Sequence, residues 1–261
     1  MSKYNDLDMQ KWHNYEDVLT TTFWTFQREN SGIHNASYHG NFIPQVPRQL
    51  FTRYTKKGDW ILDPFMGSGT SLIEAQRMGR NSIGIELQSE VATDVINRLK
   101  QEYNPNCTTH IIVDDSKTVN LKNTLHLLNI KKYQFIIFHP PYWDIIKFSE
   151  NENDISNAKT LDDFLESFGK VIDNTTQYLE KNRYCALVIG DKYANSQIVP
   201  LGFHCMNLFL NRAFLMKAIL VKNFDKTRGK MNQKAIWRYR ALASDFYIFD
   251  HEYIFIFKKV Q

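Results

Sequence analysis

The sequence of 261 residues is short of several things, and each shortage excludes a class of protein. It has three cysteines, Cys107, Cys185 and Cys205, odd in number, far apart, and without the paired spacing of a zinc site or a disulfide framework. They are expected to be reduced thiols, and no metal site is expected. Apolar runs stay well under the roughly 20 residues that span a bilayer. The opening Met1-Ser-Lys-Tyr-Asn-Asp6 has no charged start followed by an apolar core, so a cytoplasmic protein away from membranes is expected. A net charge of +4 is too mild to mark a nucleic-acid binder by itself, and where the cations sit matters more. The six-residue glycine fingerprint of dinucleotide sites and the Gly-Lys-Ser/Thr of phosphate loops are both missing, as are internal repeats and low-complexity tracts.

What is present is a composition, 43% hydrophobic and 23% charged, that argues for a folded chain with a sizeable core and against disorder. The length suits one domain over 1–261, with 1–35 as an N-terminal extension and 222–245 as a basic segment inside the domain. The lead segment carries Trp12, Tyr15, Phe23, Trp24 and Phe26, which are expected to cap a core. Ser31 to Gly40 reads as loop. Pro47 suits the first turn of a helix running to Tyr54.

Apolar runs and helical patterns then alternate. Strands are expected around Ile61-Leu62, Ser82–Leu87, His110–Ser116, Tyr133–Phe138 and Tyr184–Asp191, with helices at 70–78, 89–103, 161–179 and 200–211 between or after them. Two further strands, 214–221 and 247–257, are expected as an antiparallel pair at one edge. The fold class is therefore α/β, a doubly wound Rossmann-like sheet, mostly parallel.

Acids stand where the first three strands end: Asp63, Glu86 and Asp115. In an open parallel sheet these line one rim, where ligands bind. Such a rim suits a ligand with a cationic amine, a ribose diol and an adenine ring. Asp63 would hold an ammonium, Glu86 would accept from ribose hydroxyls, and Asp115 from an adenine amino group. Gly67 and Gly69 let a ligand approach the backbone, and the amides of Met66 to Gly69 would receive a carboxylate.

The full stretch Asp63-Pro-Phe-Met-Gly-Ser-Gly-Thr70, together with His139-Pro-Pro-Tyr142, resembles the S-adenosylmethionine-dependent amino methyltransferases that modify adenine N6 or cytosine N4 in DNA. His251–Lys259 is similar to their closing strand, and Gly40–Leu50 to the segment before their cofactor loop. The resemblance spans about residues 36–259. It implies S-adenosylmethionine as cofactor, bound by Asp63, Phe65, Gly67, Ser68, Gly69, Thr70, Glu86 and Asp115. It also implies double-stranded DNA as partner, with a cognate restriction endonuclease as a candidate second one; oligomeric state is left open.

In that family the four-residue motif meets a base flipped out of the duplex. His139, Pro140, Pro141 and Tyr142 are thus the expected catalytic residues. The side chain at 139 and the Pro140 carbonyl would accept the amino hydrogens, while Tyr142 and Trp143 would stack on the ring. Two departures stand out. His139 occupies a position the family usually fills with Asp, Asn or Ser; a neutral imidazole can accept, whereas a protonated one cannot, so activity is expected to fall in mild acid. The cofactor loop also precedes the catalytic motif, the reverse of many relatives.

Lys222–Arg240 interleaves cations with aromatic and amide residues, and Lys226, Arg228, Lys230, Arg238 and Arg240 are the expected nucleic-acid contacts. Two competing readings are a tRNA guanine-N2 methyltransferase, which shares this motif order, and a catalytically silent nucleic-acid-binding domain, which only His139 favours.

Overall fold

The computed structural model describes residues 4–27, 32–35, 38, 40–224 and 234–260. Its centre is an eight-stranded sheet in the order β1 (Phe23–Trp24), β9 (Phe214–Asn223), β10 (His251–Lys259), β6 (Leu179–Ile189), β5 (Tyr133–Phe138), β2 (Trp60–Asp63), β3 (Asn81–Glu86) and β4 (Thr109–Val113). Five parallel strands form the ligand-bearing half: β2 (Trp60–Asp63), β3 (Asn81–Glu86), β4 (Thr109–Val113), β5 (Tyr133–Phe138) and β6 (Leu179–Ile189). Strand order reverses between β2 and β5, which is the switch point at which open α/β sheets leave a crevice.

The central strand β5 is apolar on both sides because helices cover both faces. Along β5, Ile136 and Phe138 join a cluster with Phe164, Phe168 and Phe209, whereas Phe135 and Ile137 face the opposite layer with Trp24, Val46 and Phe51. The first layer contains α5 (Leu161–Thr176) and α6 (Leu201–Leu210); the second is built on α1 (Gln45–Tyr54). Pro47 lies in the first turn of α1, where a missing N–H costs nothing. Helix α5 starts with a capping box, in which Asp163 N donates to Thr160 Oγ1 and Thr160 N to Asp163 Oδ2. Completing the alternation are α2 (Thr70–Arg77), α3 (Ser89–Leu99) and α4 (Leu121–Leu127). The helix expected over 89–103 thus stops at Leu99, and its last turn tightens into a 3-10 segment over Lys100–Glu102.

The C-terminal strands form the expected antiparallel pair, with one short strand added outside it. Strands β9 (Phe214–Asn223) and β10 (His251–Lys259) are antiparallel to each other, β10 is inserted between β9 and β6, and β1 (Phe23–Trp24) runs parallel to β9 outside it. Trp24 anchors that edge, only 1% exposed. β10 starts at His251, and Tyr247 is exposed. A small hairpin, β7 (Lys192–Ala194) with β8 (Gln197–Val199), and a helix α7 (Lys234–Leu242) were not visible in the sequence pattern.

All three cysteines are buried and free. Among the described residues no helix is long and apolar enough to cross a membrane, and no group of three His, Cys, Asp or Glu is arranged to hold a metal ion.

Candidate active site

The strand ends at the switch point surround a cavity of about 250 Å³. Asp63, Phe65, Gly67, Ser68 and Thr70 line it from the turn after β2, Glu86 from β3, Asp114 and Asp115 after β4, and His139 to Tyr142 after β5. The two halves of the site expected from the sequence therefore share one space. Tyr38, Asn41, Phe42 and Phe148 close it from outside the sheet.

Asp63 ends β2 only 2% exposed, receiving the Ser71 hydroxyl on one oxygen and the Phe65 N–H at 3.0 Å on the other. Burial drives its pKa up to about 7, the Ser71 and Phe65 hydrogen bonds oppose that, and the nearby Glu86 adds to it. A buried carboxylate with no cation beside it favours the proton, and a cationic ligand group would reverse that preference.

Glu86 accepts from Gly67 N–H at 2.9 Å and from Gln88 N–H at 3.0 Å, one on each oxygen. Burial raises its pKa and these amide bonds pull the other way. Each oxygen keeps a further lone pair, enough for a diol. Asp115 is half-buried, with Lys117 Nζ 3.4 Å away.

The amide cradle is corrected by the structure. Met66 N–H donates to Ile85, Gly67 N–H to Glu86 and Gly69 N–H to Met66, so three of the four amides expected to hold a carboxylate are engaged within the protein. Gly69 does not line the cavity. It sits at φ 73° before α2, and a Cβ there would lie 2.5 Å from Val95 Cγ1. Its role is to let the turn and α3 approach.

His139 opens on the cavity and is otherwise enclosed, with the Phe42 ring 4.8 Å away between centroids. Burial lowers its pKa to about 4; the Glu252 carboxylate opposes this and Lys222 adds to it. A downward shift of this kind favours the neutral imidazole in mild acid and so argues against the expected loss of activity there through His139. Its Nε2 lies 3.3 Å from the Tyr142 hydroxyl, which donates to Glu252 Oε2 at 2.6 Å. Burial and the Glu252 charge push Tyr142 far above the usual phenol range, so it remains a phenol. Glu252 in turn accepts from Lys222 Nζ at 2.7 Å on Oε1. Burial alone would raise Glu252, but Lys222, His139 and the hydrogen bonds from Lys222 and Tyr142 hold it below the ordinary range.

The Lys222–Glu252 pair is not among the site residues expected from the sequence. Lys222 was grouped with the basic segment, whereas it is 4% exposed and paired across the strands with Glu252, itself 3% exposed. An acid inside the apolar run Tyr253–Phe257 and its preceding residues was the available signal.

Trp143 does not line the cavity. At φ 52° its indole turns away, donating to the Ala158 carbonyl at 2.9 Å, with Lys192 Nζ 4.0 Å above the ring. Arg238 and Arg240 lie on α7, where the Arg240 guanidinium is 5.3 Å from the centre of the Trp237 ring. Lys226, Arg228 and Lys230 fall outside the described residues.

Comparison with known proteins adds to this geometry. A family model described as DNA methylase matches residues 2–97 and 133–261, and one described as RMKL-like methyltransferase domain matches 51–177. Type II methyltransferase M.MjaII from Methanocaldococcus jannaschii is 52% identical over 56 residues, 22% of this chain and 10% of that protein. A probable tRNA (guanine(10)-N2)-dimethyltransferase from Methanothermococcus thermolithotrophicus is 34% identical over 118 residues, 45% of this chain and 70% of that protein. The solved structure of TrmN from Thermus thermophilus superposes with a TM-score of 0.54 at 14% identity, covering 85% of this chain and 50% of that one, and so shares the fold.

Proposed function

The chain belongs to the DNA methylase family of S-adenosylmethionine-dependent methyltransferases, and from that premise we propose that it methylates an exocyclic amino group, adenine N6 or cytosine N4, of a base flipped out of DNA. The observation that carries this reading is the single cavity shared by the rim acids and by His139–Tyr142. A donor site and an acceptor site in one shared space is what direct group transfer requires.

The cofactor fits the residues present. Among the described residues no cation stands beside the buried Asp63 carboxylate, and Glu86 and Asp115 offer acceptors for hydroxyl and amino groups along the same rim. When bound, S-adenosylmethionine supplies an electrophilic methyl group to an attacking nitrogen. This chain's part is positional. His139 accepts one hydrogen of the target amine and the Pro140 carbonyl another, which orients the nitrogen lone pair into the cavity. Phe42 and Tyr142 give the base apolar surface. Arg238 and Arg240 on α7, with Lys226, Arg228 and Lys230, supply phosphate contacts. A restriction endonuclease reading the same site would be the functional partner.

A second reading is methylation of guanine N2 in tRNA, favoured by the long stretch shared with the archaeal tRNA enzyme. Labelled S-adenosylmethionine mixed with the protein and duplex DNA, unmodified tRNA or no acceptor separates the two. Label in DNA, mapped to an exocyclic amine, is expected; label in tRNA alone would replace the first reading by the second, and label in neither would leave a silent domain.

A further inference from the structure

The hydrogen bonds behind His139 run in one direction, and the residue at the far end sets it. Lys222 Nζ can only donate, and it donates to Glu252 Oε1 at 2.7 Å. An ionised Glu252 can only accept, so the Tyr142 hydroxyl must spend its one proton on Oε2 at 2.6 Å. The Tyr142 oxygen is then available only as an acceptor, and the Gly190 amide also approaches it. For His139 Nε2, 3.3 Å away, a favourable contact requires that this nitrogen carry the ring proton. That leaves Nδ1 as the unprotonated nitrogen, with its lone pair able to accept.

We infer that Lys222 and Glu252 are positioning residues that fix the tautomer of His139, so that Nδ1 presents an acceptor to the hydrogen of the target amine. The inference rests on the reading of His139 as the amine acceptor and adds what keeps it one. Acids and amides accept through an oxygen whatever their surroundings, whereas a neutral imidazole accepts at one nitrogen and donates at the other. A histidine in this position therefore needs an external device to choose, and the buried pair provides it. Both partners are almost fully enclosed on adjacent strands, so the choice is not shared with solvent.

The test uses the sign of this chain. In Glu252→Gln, Lys222 still demands an oxygen, so the amide must turn its NH2 towards Tyr142. Tyr142 then accepts from the amide and gives its proton to His139 Nε2, which moves the ring proton to Nδ1. The full-length protein labelled with 15N-histidine, without acceptor or cofactor, reports the tautomer by long-range 1H–15N spectra, with His139 assigned by its loss in His139→Asn. Wild type is expected to show protonated Nε2 and Glu252→Gln protonated Nδ1. Glu252→Asp, whose carboxylate can only accept, is expected to keep the wild-type tautomer.

Single-turnover methyl transfer in Glu252→Gln should fall about 100-fold or more, the scale of a misplaced acid–base group, with cofactor affinity within about threefold of wild type. Glu252→Asp should recover at least about tenfold of that loss. Protonated Nδ1 in wild type, or an unchanged tautomer in folded Glu252→Gln, overturns the inference. Should Glu252→Gln not fold, the wild-type and Glu252→Asp spectra decide it. Because the spectra need no acceptor, absence of methyl transfer in wild type would overturn the reading of His139 and leave the tautomer result standing.

Discussion

The Gly67 amide donates to Glu86 Oε2 at 2.9 Å, so the glycine turn after β2 is tied to the acid that ends β3. Glu86 thus holds the shape of the turn as well as presenting lone pairs to the cavity. In Glu86→Ala both the Gly67 and Gln88 amides lose their acceptor, at about 1–3 kcal/mol for each amide left buried. The expected outcome is a lower melting temperature together with cofactor affinity reduced at least about tenfold by calorimetry. Glu86→Gln keeps an oxygen for one amide and should fall between the two in both measurements.

Asp63 gives the cofactor affinity a pH dependence of known sign. Its pKa is pushed up to about 7 in the free protein by burial. A cationic group bound beside it favours the carboxylate, so binding releases a proton when the pH is below about 7. Affinity should rise with pH up to about 7, by as much as tenfold per unit, and level off above. Calorimetry in buffers of different ionisation enthalpy checks both the slope and the released proton. The same shift bears on stability: the raised pKa favours folding below the unfolded value of about 3.9, an advantage lost as pH rises through about 7. Asp63→Asn should therefore narrow the stability difference between pH 5 and pH 8 while weakening cofactor binding.

His139 predicts the opposite profile. Burial holds its pKa at about 4, so the imidazole stays neutral from about pH 5 upwards. The chemical step, measured in single turnover with saturating cofactor, should show no ionisation near the ordinary histidine value. For stability, a depressed pKa favours folding above the unfolded value of about 6.5, an advantage lost as pH falls through about 4. His139→Asn, which retains an acceptor but does not titrate, should remove that acid-side loss.

Gly69 and Val95 meet so closely that no side chain fits between them. A Cβ on residue 69 would lie 2.5 Å from Val95 Cγ1, and φ is 73°. Gly69→Ala should cost about 2–4 kcal/mol, combining a left-handed backbone with overpacking. Val95→Ala in the same chain should return part of it, visible as a partial recovery in denaturant midpoint.

These cases show which features could be read in the sequence. The alternation of strands and helices, and the placing of Asp63, Glu86 and His139–Tyr142 at strand ends around one cavity, were legible because each is a local pattern at a strand end, as in Asp63-Pro64 or His139-Pro140. The amide cradle was misjudged because Gly67 and Gly69 announce a turn without saying which acceptors take its N–H groups. Trp143 was misplaced because a positive φ at a non-glycine residue leaves no mark in the sequence. Lys222 and Glu252 escaped because cross-strand register between β9 and β10 joins residues whose neighbours are a cationic segment on one side and an apolar strand on the other. Helix α7 leaves little trace because its nine residues mix three cations with aromatic and apolar residues, without a clear apolar face.

Charge is what α7 would contribute. Arg238 and Arg240 are exposed on a helix with no acid in its first turn, and Arg240 is held against the Trp237 ring. If both contact phosphates, Arg238→Ala with Arg240→Ala should remove about two counterions' worth of salt dependence, a slope change of about 1.8 in log K against log salt on a duplex. Affinity for specific and non-specific DNA should fall together, since phosphate contacts carry no sequence information. A loss confined to one recognition sequence would instead place these guanidinium groups on base edges, where a bidentate contact to guanine is worth about 1–3 kcal/mol of discrimination. Binding to duplexes of scrambled and methylated sequence, titrated across salt, separates the two, and an unchanged slope would move the phosphate contacts off α7.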